Sequence, residues 1–224
     1  MISLSPISIS EAARYMGVKG EPDTAVMELL ERAERLVREN VRPMFVYRET
    51  AAEAVEDGIK LSCMSRHLTG EDIKKHLQGC NRAVIFAVTL SAEADKLIRQ
   101  SAVGNMAFSL AVDCICSAAV EQVCNKAEEE IFSASDIPYR TWRFSPGYGD
   151  LPLDLQGDLL TALNAQRRIG LTATANSLLI PSKSVTALIG ISDTPIKRGA
   201  KGCAVCNMRE SCAYRLAGGC GKQR

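Results

Sequence analysis

The stretch Arg143-Phe144-Ser145-Pro146-Gly147-Tyr148 decides how this chain is interpreted. Proline presets the first dihedral angle of a type II turn, and glycine accepts the positive φ of the second, so Pro146-Gly147 predicts such a turn. An arginine before the turn can hold a carboxylate with two parallel hydrogen bonds. The tyrosine after it offers a ring face and a hydroxyl. A lone Pro-Gly turn would be an ordinary surface loop. Whether this turn belongs to a binding site therefore depends on the sequence around it.

Further features follow the turn in a definite order. A helix is predicted over residues 156–169, and it closes at Gly170. Two strand-like runs come next, at residues 171–180 and 184–192. The Pro181-Ser182-Lys183 segment between them predicts that the two runs form a hairpin.

The chain before the turn mixes helices and strands without a regular alternation. Apolar residues recur at three- and four-residue steps in several segments, which predicts helices, and short β-branched runs predict strands. The predicted helices cover residues 8–18 (with Ser10 as N-cap), 23–40, 69–78, 91–101 and 105–131, and the predicted strands cover 44–48, 83–90 and 141–144. This pattern predicts an α+β fold with a central antiparallel or mixed sheet, flanking helices and one long buried helix over residues 105–131.

A polar stripe runs along that long helix. Ser109, Asp113, Ser117 and Glu121 recur every four residues among apolar neighbours and therefore share one face. A buried carboxylate without a partner is costly, so Asp113 and Glu121 either face a cleft or pair with cations. The alternative is that the stripe is the solvated face of the helix.

Composition indicates which classes of partner the protein can bind and where in the cell we expect it. Twenty-seven Lys and Arg against 26 Asp and Glu give a net charge of +1, so we expect no nucleic-acid or membrane partner. The N-terminus lacks the features of a secretory signal. The most apolar segment, residues 106–120, is interrupted by Asp113 and is shorter than a membrane span of about 20 residues. Dispersed cysteines, interpreted as small core residues, indicate a reducing, cytoplasmic location, and His67 and His76 are expected at the surface.

The order of these features resembles the activation domain of cobalamin-dependent methionine synthase, which binds adenosylmethionine. In that family an Arg-x-x-Pro-Gly-Tyr turn precedes a helix, a glycine corner, a threonine-bearing strand and a Pro-x-x-Ser-Val hairpin. The matching residues here run from Thr141 to Ser192, and Ala12 to Glu130 is similar to smaller free-standing members. The chain departs from the large enzyme at Gly149, where proline is usual, at Ile189-Gly190, where an aromatic pair is expected, and in lacking the N-terminal aspartate that binds the ligand.

The resemblance implies a function and a set of residues. Arg143 would hold the carboxylate of adenosylmethionine and Glu121 its amine, and Asp113 would line the same cleft. The backbone of Ser145, Pro146 and Gly147 would meet the nucleoside, and Tyr148 would face a corrin. The implied function is reactivation of a cobalamin-dependent methyltransferase such as methionine synthase, in which one electron and a methyl group from adenosylmethionine restore the methylated corrinoid. The partners would be a cobalamin-binding module and an electron donor, and the sequence leaves open whether this chain is itself an enzyme.

The chain ends in a second, cysteine-rich part. Composition changes near residue 195, which predicts a domain over residues 1–195 and a metal-binding tail over 196–224. Four tail cysteines can complete one metal site: Cys203, Cys206, Cys212 and Cys220. A [4Fe–4S] cluster would make the tail redox-active, and zinc would make it structural. Two alternatives therefore stand beside reactivation: a non-catalytic partner that delivers electrons through the cluster, and a zinc-stabilised adaptor.

Overall fold

The computed structural model describes residues 2–133, 137, 139–196 and 210. Its helices are α1 (Ile9–Tyr15), α2 (Thr24–Asn40), α3 (Glu71–His76), α4 (Ser91–Gly104), α5 (Met106–Ser133), α6 (Gln156–Leu163) and α7 (Ala165–Ile169). Its strands are β1 (Met44–Val55), β2 (Gly58–Leu61), β3 (Leu68–Thr69), β4 (Arg82–Thr89), β5 (Tyr139–Arg140), β6 (Thr172–Ala173), β7 (Leu179–Ile180) and β8 (Ser184–Ser192).

A six-stranded antiparallel sheet organises the fold. Its strand order is β3-β2-β1-β4-β8-β5, so the two most apolar strands lie at its centre. Alternate residues of β4 serve two cores. Val84, Phe86 and Val88 pack with α1, α2 and α5 on one face, while Ile85 packs with α3, α6 and α7 on the other. The predicted α+β class is confirmed, and the sheet is antiparallel throughout its described pairings.

The long helix α5 is the central helix of the first core, as predicted. It is long and apolar enough to cross a membrane by length and composition alone, which the sequence analysis did not anticipate. However, 67% of its most apolar stretch is buried inside the protein, as in the core helix of a globular domain. Its burial comes from packing against α1, α2, α4 and the sheet.

The predicted hairpin between residues 171–180 and 184–192 is wrong. The second run is β8, which pairs with β4 over eight residues from Ser184 opposite Thr89 to Ile191 opposite Arg82. The first run folds back on itself as the small β6–β7 hairpin, closed by hydrogen bonds between Thr174 and Leu178. Residues 186–192 are buried, so β8 gains more apolar burial between β4 and β5 than an edge hairpin would provide.

Several predicted element bounds also need correction. Ser8, not Ser10, caps α1, because its hydroxyl accepts from the backbone N–H of Glu11 at 3.2 Å. The predicted helix 156–169 is two helices, since Asn164 adopts a left-handed conformation with φ of 52°. Residues 141–144 form no strand, and only Phe144 makes an isolated bridge, to Leu188. The cysteine tail lies outside the described residues, so the division near residue 195 stays a prediction.

Candidate functional site

The turn predicted at Pro146-Gly147 is present. The N–H of Tyr148 donates to the carbonyl of Ser145 at 3.1 Å, and Gly147 has a φ of 86°, as the third position of a type II turn requires. A second hydrogen bond runs from the N–H of Gly147 to the carbonyl of Leu151 at 2.9 Å. Local sequence therefore accounts for the shape of this loop.

A cluster of aromatic rings packs against the turn. His76 contacts Trp142 and Phe144, with ring centroids 5.3 and 4.8 Å apart, and Phe144 meets Tyr148 edge-on at 6.3 Å. The Nε2 of His76 lies 2.9 Å from the carbonyl oxygen of Trp142, which can only accept, so this nitrogen carries the hydrogen. Burial lowers the pKa of His76 to about 4. The expectation that His76 is a surface residue is wrong, because α3 presses its ring against the segment before the turn.

The residues after the turn fasten it to the start of α3. Both carboxylate oxygens of Asp150 accept from backbone N–H groups, that of Glu71 at 2.6 Å and that of Asp72 at 3.1 Å. Gly149 has a φ of 54°, and an added Cβ would lie 2.3 Å from the Asp72 carboxylate. Proline, with φ near −65°, cannot adopt this conformation. The departure from the family at this position thus has a local structural cause.

Arg143 faces helix α5, where three polar side chains contact its guanidinium. Its Nη2 lies 3.2 Å from Glu121 Oε2, and its Nη1 lies 3.0 Å from Asn125 Oδ1 and 2.8 Å from Glu128 Oε1. The Arg143 side chain is 23% exposed and that of Glu121 is 29% exposed, so this pair is partly withdrawn from water. The two residues that the family resemblance assigned to carboxylate and amine binding are therefore in direct contact.

A groove of about 470 Å³ lies beside this pair, along the same face of α5. It is lined by Tyr15, Leu110, Asp113, Cys114, Ser117, Val120, Glu121, Ser182, Lys183 and Ser184. Lys183, immediately before β8, places its Nζ 2.9 Å from Asp113 Oδ1 and 2.9 Å from Ser117 Oγ. The groove thus combines charged side chains, Asp113, Glu121 and Lys183, with apolar ones such as Leu110 and Val120.

The polar stripe divides in the structure. Asp113, Ser117 and Glu121 line the groove and the two carboxylates pair with cations, whereas the Ser109 hydroxyl turns away and donates to the carbonyl of Ile98 in α4. The groove is open to solvent at Asp113, whose side chain is 42% exposed, so the cleft and the solvated-face interpretations both hold in part for this stripe. The remaining residues named from sequence lie apart from the groove lining, and they comprise Arg143, Ser145, Pro146, Gly147 and Tyr148. Arg143 reaches the site through Glu121, and Tyr148 is 57% exposed.

Several residues of the site were not predicted from sequence, among them Tyr15, Asn125, Glu128 and Lys183. Asn125 and Glu128 continue the α5 stripe at four- and three-residue steps beyond Glu121, so the helical repeat could have identified them. Lys183 gave no such signal, because only the placement of β8 in the sheet brings it to α5. Tyr15 donates its hydroxyl to Glu11 at 3.0 Å, and burial followed by the nearby Glu11 charge raises the pKa of Tyr15.

No cluster of three or more metal-ligating side chains occurs within residues 2–133, 137, 139–196 and 210. In this part of the chain Cys114, Cys116 and Cys124 are buried, as predicted, and Cys63 and Cys80 are half-buried. The four predicted metal ligands, Cys203, Cys206, Cys212 and Cys220, lie outside the described residues.

Comparison with solved structures identifies a protein of similar fold. No family model matches the sequence, and no curated protein matches it either. The structure is similar to the crystal structure of the MetH reactivation domain bound to AdoHcy, with a TM-score of 0.63 and 16% sequence identity, over 85% of this chain and 77% of that one. At this identity the similarity establishes the fold. The chain therefore has the fold of the MetH reactivation domain, as the turn at Arg143–Tyr148 and the elements after it predicted.

Proposed function

We propose that this protein binds S-adenosylmethionine in the α5 groove and supports reactivation of a cobalamin-dependent methyltransferase such as methionine synthase. The observation that carries the proposal is the contact between Arg143 and Glu121 at one end of the groove. An α-amino acid carries a carboxylate and an ammonium on one carbon. A guanidinium beside a carboxylate is complementary to that pair, because each protein charge can exchange its protein partner for the opposite charge of the ligand.

The size and lining of the groove support a nucleoside-sized ligand. Small-molecule sites commonly measure about 300–1,000 Å³ and combine an apolar lining with a few placed polar groups. Here about 470 Å³ is bordered by Leu110, Cys114 and Val120, with Glu121 and Asp113 as charged acceptors. The solved relative is a reactivation domain bound to AdoHcy, which differs from adenosylmethionine by the transferable methyl group.

Tyr148 is the residue we propose to meet the partner. Its ring is 57% exposed at the tip of the turn, and the edge contact with Phe144 fixes its base. An exposed, well-supported aromatic ring suits a large apolar face such as a corrin. Bound adenosylmethionine supplies the methyl group and the partner's corrinoid accepts it, while the residues of this chain bind and orient the donor. We place this process in the cytoplasm, where dispersed core cysteines such as Cys114 and Cys116 stay reduced.

We further propose that the tail cysteines bind a metal, with an iron–sulfur cluster preferred because reactivation requires an electron. The Cys-x2-Cys spacing at Cys203 and Cys206 supports a shared metal, and Cys212 and Cys220 supply the remaining ligands. An anaerobically purified protein with a cluster is brown and contains about four iron atoms per chain, whereas a zinc adaptor is colourless. Protein with neither metal contradicts this part of the proposal.

One observation favours an alternative function. Arg143 contacts Glu121, Asn125 and Glu128, as the arginine of a structural ion pair would. In that case the fold has lost the ligand and serves as a non-catalytic corrinoid-protein partner that delivers electrons through the tail. Both functions require the same partner and the same electron donor, so ligand binding separates them.

Isothermal titration with AdoHcy and adenosylmethionine tests the proposal directly. The wild-type protein is expected to bind both, and Arg143→Gln is expected to weaken binding at least tenfold. Arg66→Gln is the matched control, because Arg66 also pairs with two carboxylates, Asp154 and Asp158, outside the groove. No binding by the wild-type protein, with or without a corrinoid partner, would contradict the proposal and favour the electron-delivery alternative.

A further inference from the structure

Lys183 forms a second ion pair in the groove, with Asp113. Its Nζ contacts Asp113 Oδ1 and Ser117 Oγ, both at 2.9 Å. The lysine side chain is only 15% exposed, whereas that of Asp113 is 42% exposed. The cation is therefore enclosed and the carboxylate is the member of the pair that faces solvent in the groove.

The loop that carries Lys183 is fixed at several points. The carbonyl of Lys183 accepts from the N–H of Leu90 at 2.9 Å, and the N–H of Ser182 donates to Asp95 at 3.0 Å. The Ser184 hydroxyl bonds Thr89 at 2.8 Å. The backbone at Lys183 is therefore held in place, and the enclosed side chain, with its contacts to Asp113 and Ser117, orients the Asp113 carboxylate.

Asp113 and Glu121 stand eight residues apart on one helix face. Their Cα atoms are separated by about 12 Å at 1.5 Å per residue, and helical side chains lean toward the N-terminus. Between them lie Cys114, Ser117 and Val120. A ligand that fits has hydrogen-bond donors at both ends and a middle that packs on Cys114 and Val120, beside the polar contact between Lys183 and Ser117.

We infer that Asp113, positioned by Lys183, binds the sugar hydroxyls of the ligand's nucleoside half, opposite the Glu121–Arg143 end that holds its amino-acid half. This inference rests on the proposed function. An ionised carboxylate only accepts hydrogen bonds, and a ribose diol offers two donors on adjacent carbons. Acidic side chains bind ribose hydroxyls in this way in dinucleotide-binding folds. Lys183 is a positioning residue, since it acts on the ligand through Asp113.

The two halves of the ligand make the inference testable. AdoHcy contains both halves, and methylthioadenosine contains only the nucleoside half, which can be measured by its displacement of AdoHcy. Asp113→Asn and Lys183→Met are expected to weaken both ligands by roughly tenfold. Glu121→Gln is expected to weaken AdoHcy and to leave methylthioadenosine unchanged. Lys183→Arg is expected to restore most of the binding, and the exposed Lys96→Met serves as the matched control.

Three outcomes would overturn the inference while leaving the proposed function intact. These are weakening of AdoHcy but not of methylthioadenosine by Asp113→Asn, wild-type binding by Lys183→Met, and failure of methylthioadenosine to compete on the wild-type protein. Absence of AdoHcy binding by the wild-type protein overturns the proposed function instead. If a variant does not fold, saturation-transfer NMR on the wild-type complex tests the inference instead. Strong transfer to the ribose protons of AdoHcy is expected, and weak transfer to them would overturn the inference.

Discussion

Arg143 Nη2 lies 3.2 Å from Glu121 Oε2, which joins the turn to helix α5 across 22 residues of sequence. The same guanidinium also contacts Glu128, so one arginine forms ion pairs with two carboxylates. This arrangement makes Arg143 part of the packing between the turn and α5, whatever ligand the groove binds. Its structural contribution and its binding contribution have to be measured separately.

Replacing Arg143 by methionine is expected to lower the free energy of unfolding by about 1–2 kcal/mol, because Glu121 and Glu128 are then left partly buried beside each other without their cation. Arg66→Met, which breaks an exposed pair with Asp154, should cost less than about 1 kcal/mol. Urea denaturation of both variants measures the difference. Equal stabilities for the two variants would show that the Arg143 contacts contribute nothing beyond a surface ion pair.

Asp150 is expected to stabilise the turn and α3 together. Its carboxylate accepts from the N–H groups of Glu71 and Asp72, which have no partner inside the helix. Asp150→Ala should therefore cost about 1 kcal/mol, as the loss of a helix cap does. Asp154→Ala, which removes an exposed ion pair with Arg66 and no helix cap, should cost about half of that or less. Urea denaturation compares the two, and an Asp150→Ala variant as stable as wild type would contradict the capping role.

Two glycines are expected to respond to alanine in opposite directions. Gly149 has a positive φ and no room for a Cβ beside Asp72, so Gly149→Ala should destabilise the protein by about 1–3 kcal/mol. Gly157 lies in α6 with open space around its Cα, and Gly157→Ala should stabilise by about 0.5–1 kcal/mol. Thermal unfolding of the pair gives the sign of each change. If both substitutions destabilise the protein, backbone strain does not explain how the two glycines differ.

His76 is expected to make stability fall in mild acid. Its pKa is 6.5 when unfolded and about 4 in the folded protein, so between these values the unfolded chain binds a proton that the folded protein does not. The free energy of unfolding therefore decreases as pH falls from about 6.5 to 4, and the loss should reach about 1–2 kcal/mol at pH 5. Above pH 7 this contribution is constant.

The measurement compares urea unfolding at pH 7 and pH 5 for the wild type and for His76→Gln. Glutamine can still donate to the Trp142 carbonyl but does not titrate, so the variant should lose that part of the pH dependence. Trp142, the one tryptophan of the chain, reports on this cluster by fluorescence. His67→Gln is the control, since His67 pairs with Asp57 elsewhere. Identical pH dependence of stability in the wild type and His76→Gln would show that His76 does not cause it.

The sequence by itself determined the features that depend on neighbouring residues. Pro146-Gly147 specifies its turn because proline restricts φ and glycine tolerates a positive φ, with no help from the rest of the chain. The apolar repeat of residues 23–40 and 105–131 likewise predicts helices close to the observed α2 and α5. The order of such local features along residues 141–192 was sufficient to predict the fold that the MetH reactivation domain shares.

Only the tertiary structure decided which distant segments meet. β8 pairs with β4 rather than with the run just before it, because burial on both faces of a central strand outweighs the short loop of a local hairpin. That pairing brings Lys183 to Asp113, 70 residues away in sequence. The packing of α3 makes His76 a half-buried residue. Local patterns carry no information on these contacts, since the partners are chosen by the burial and register of the whole sheet.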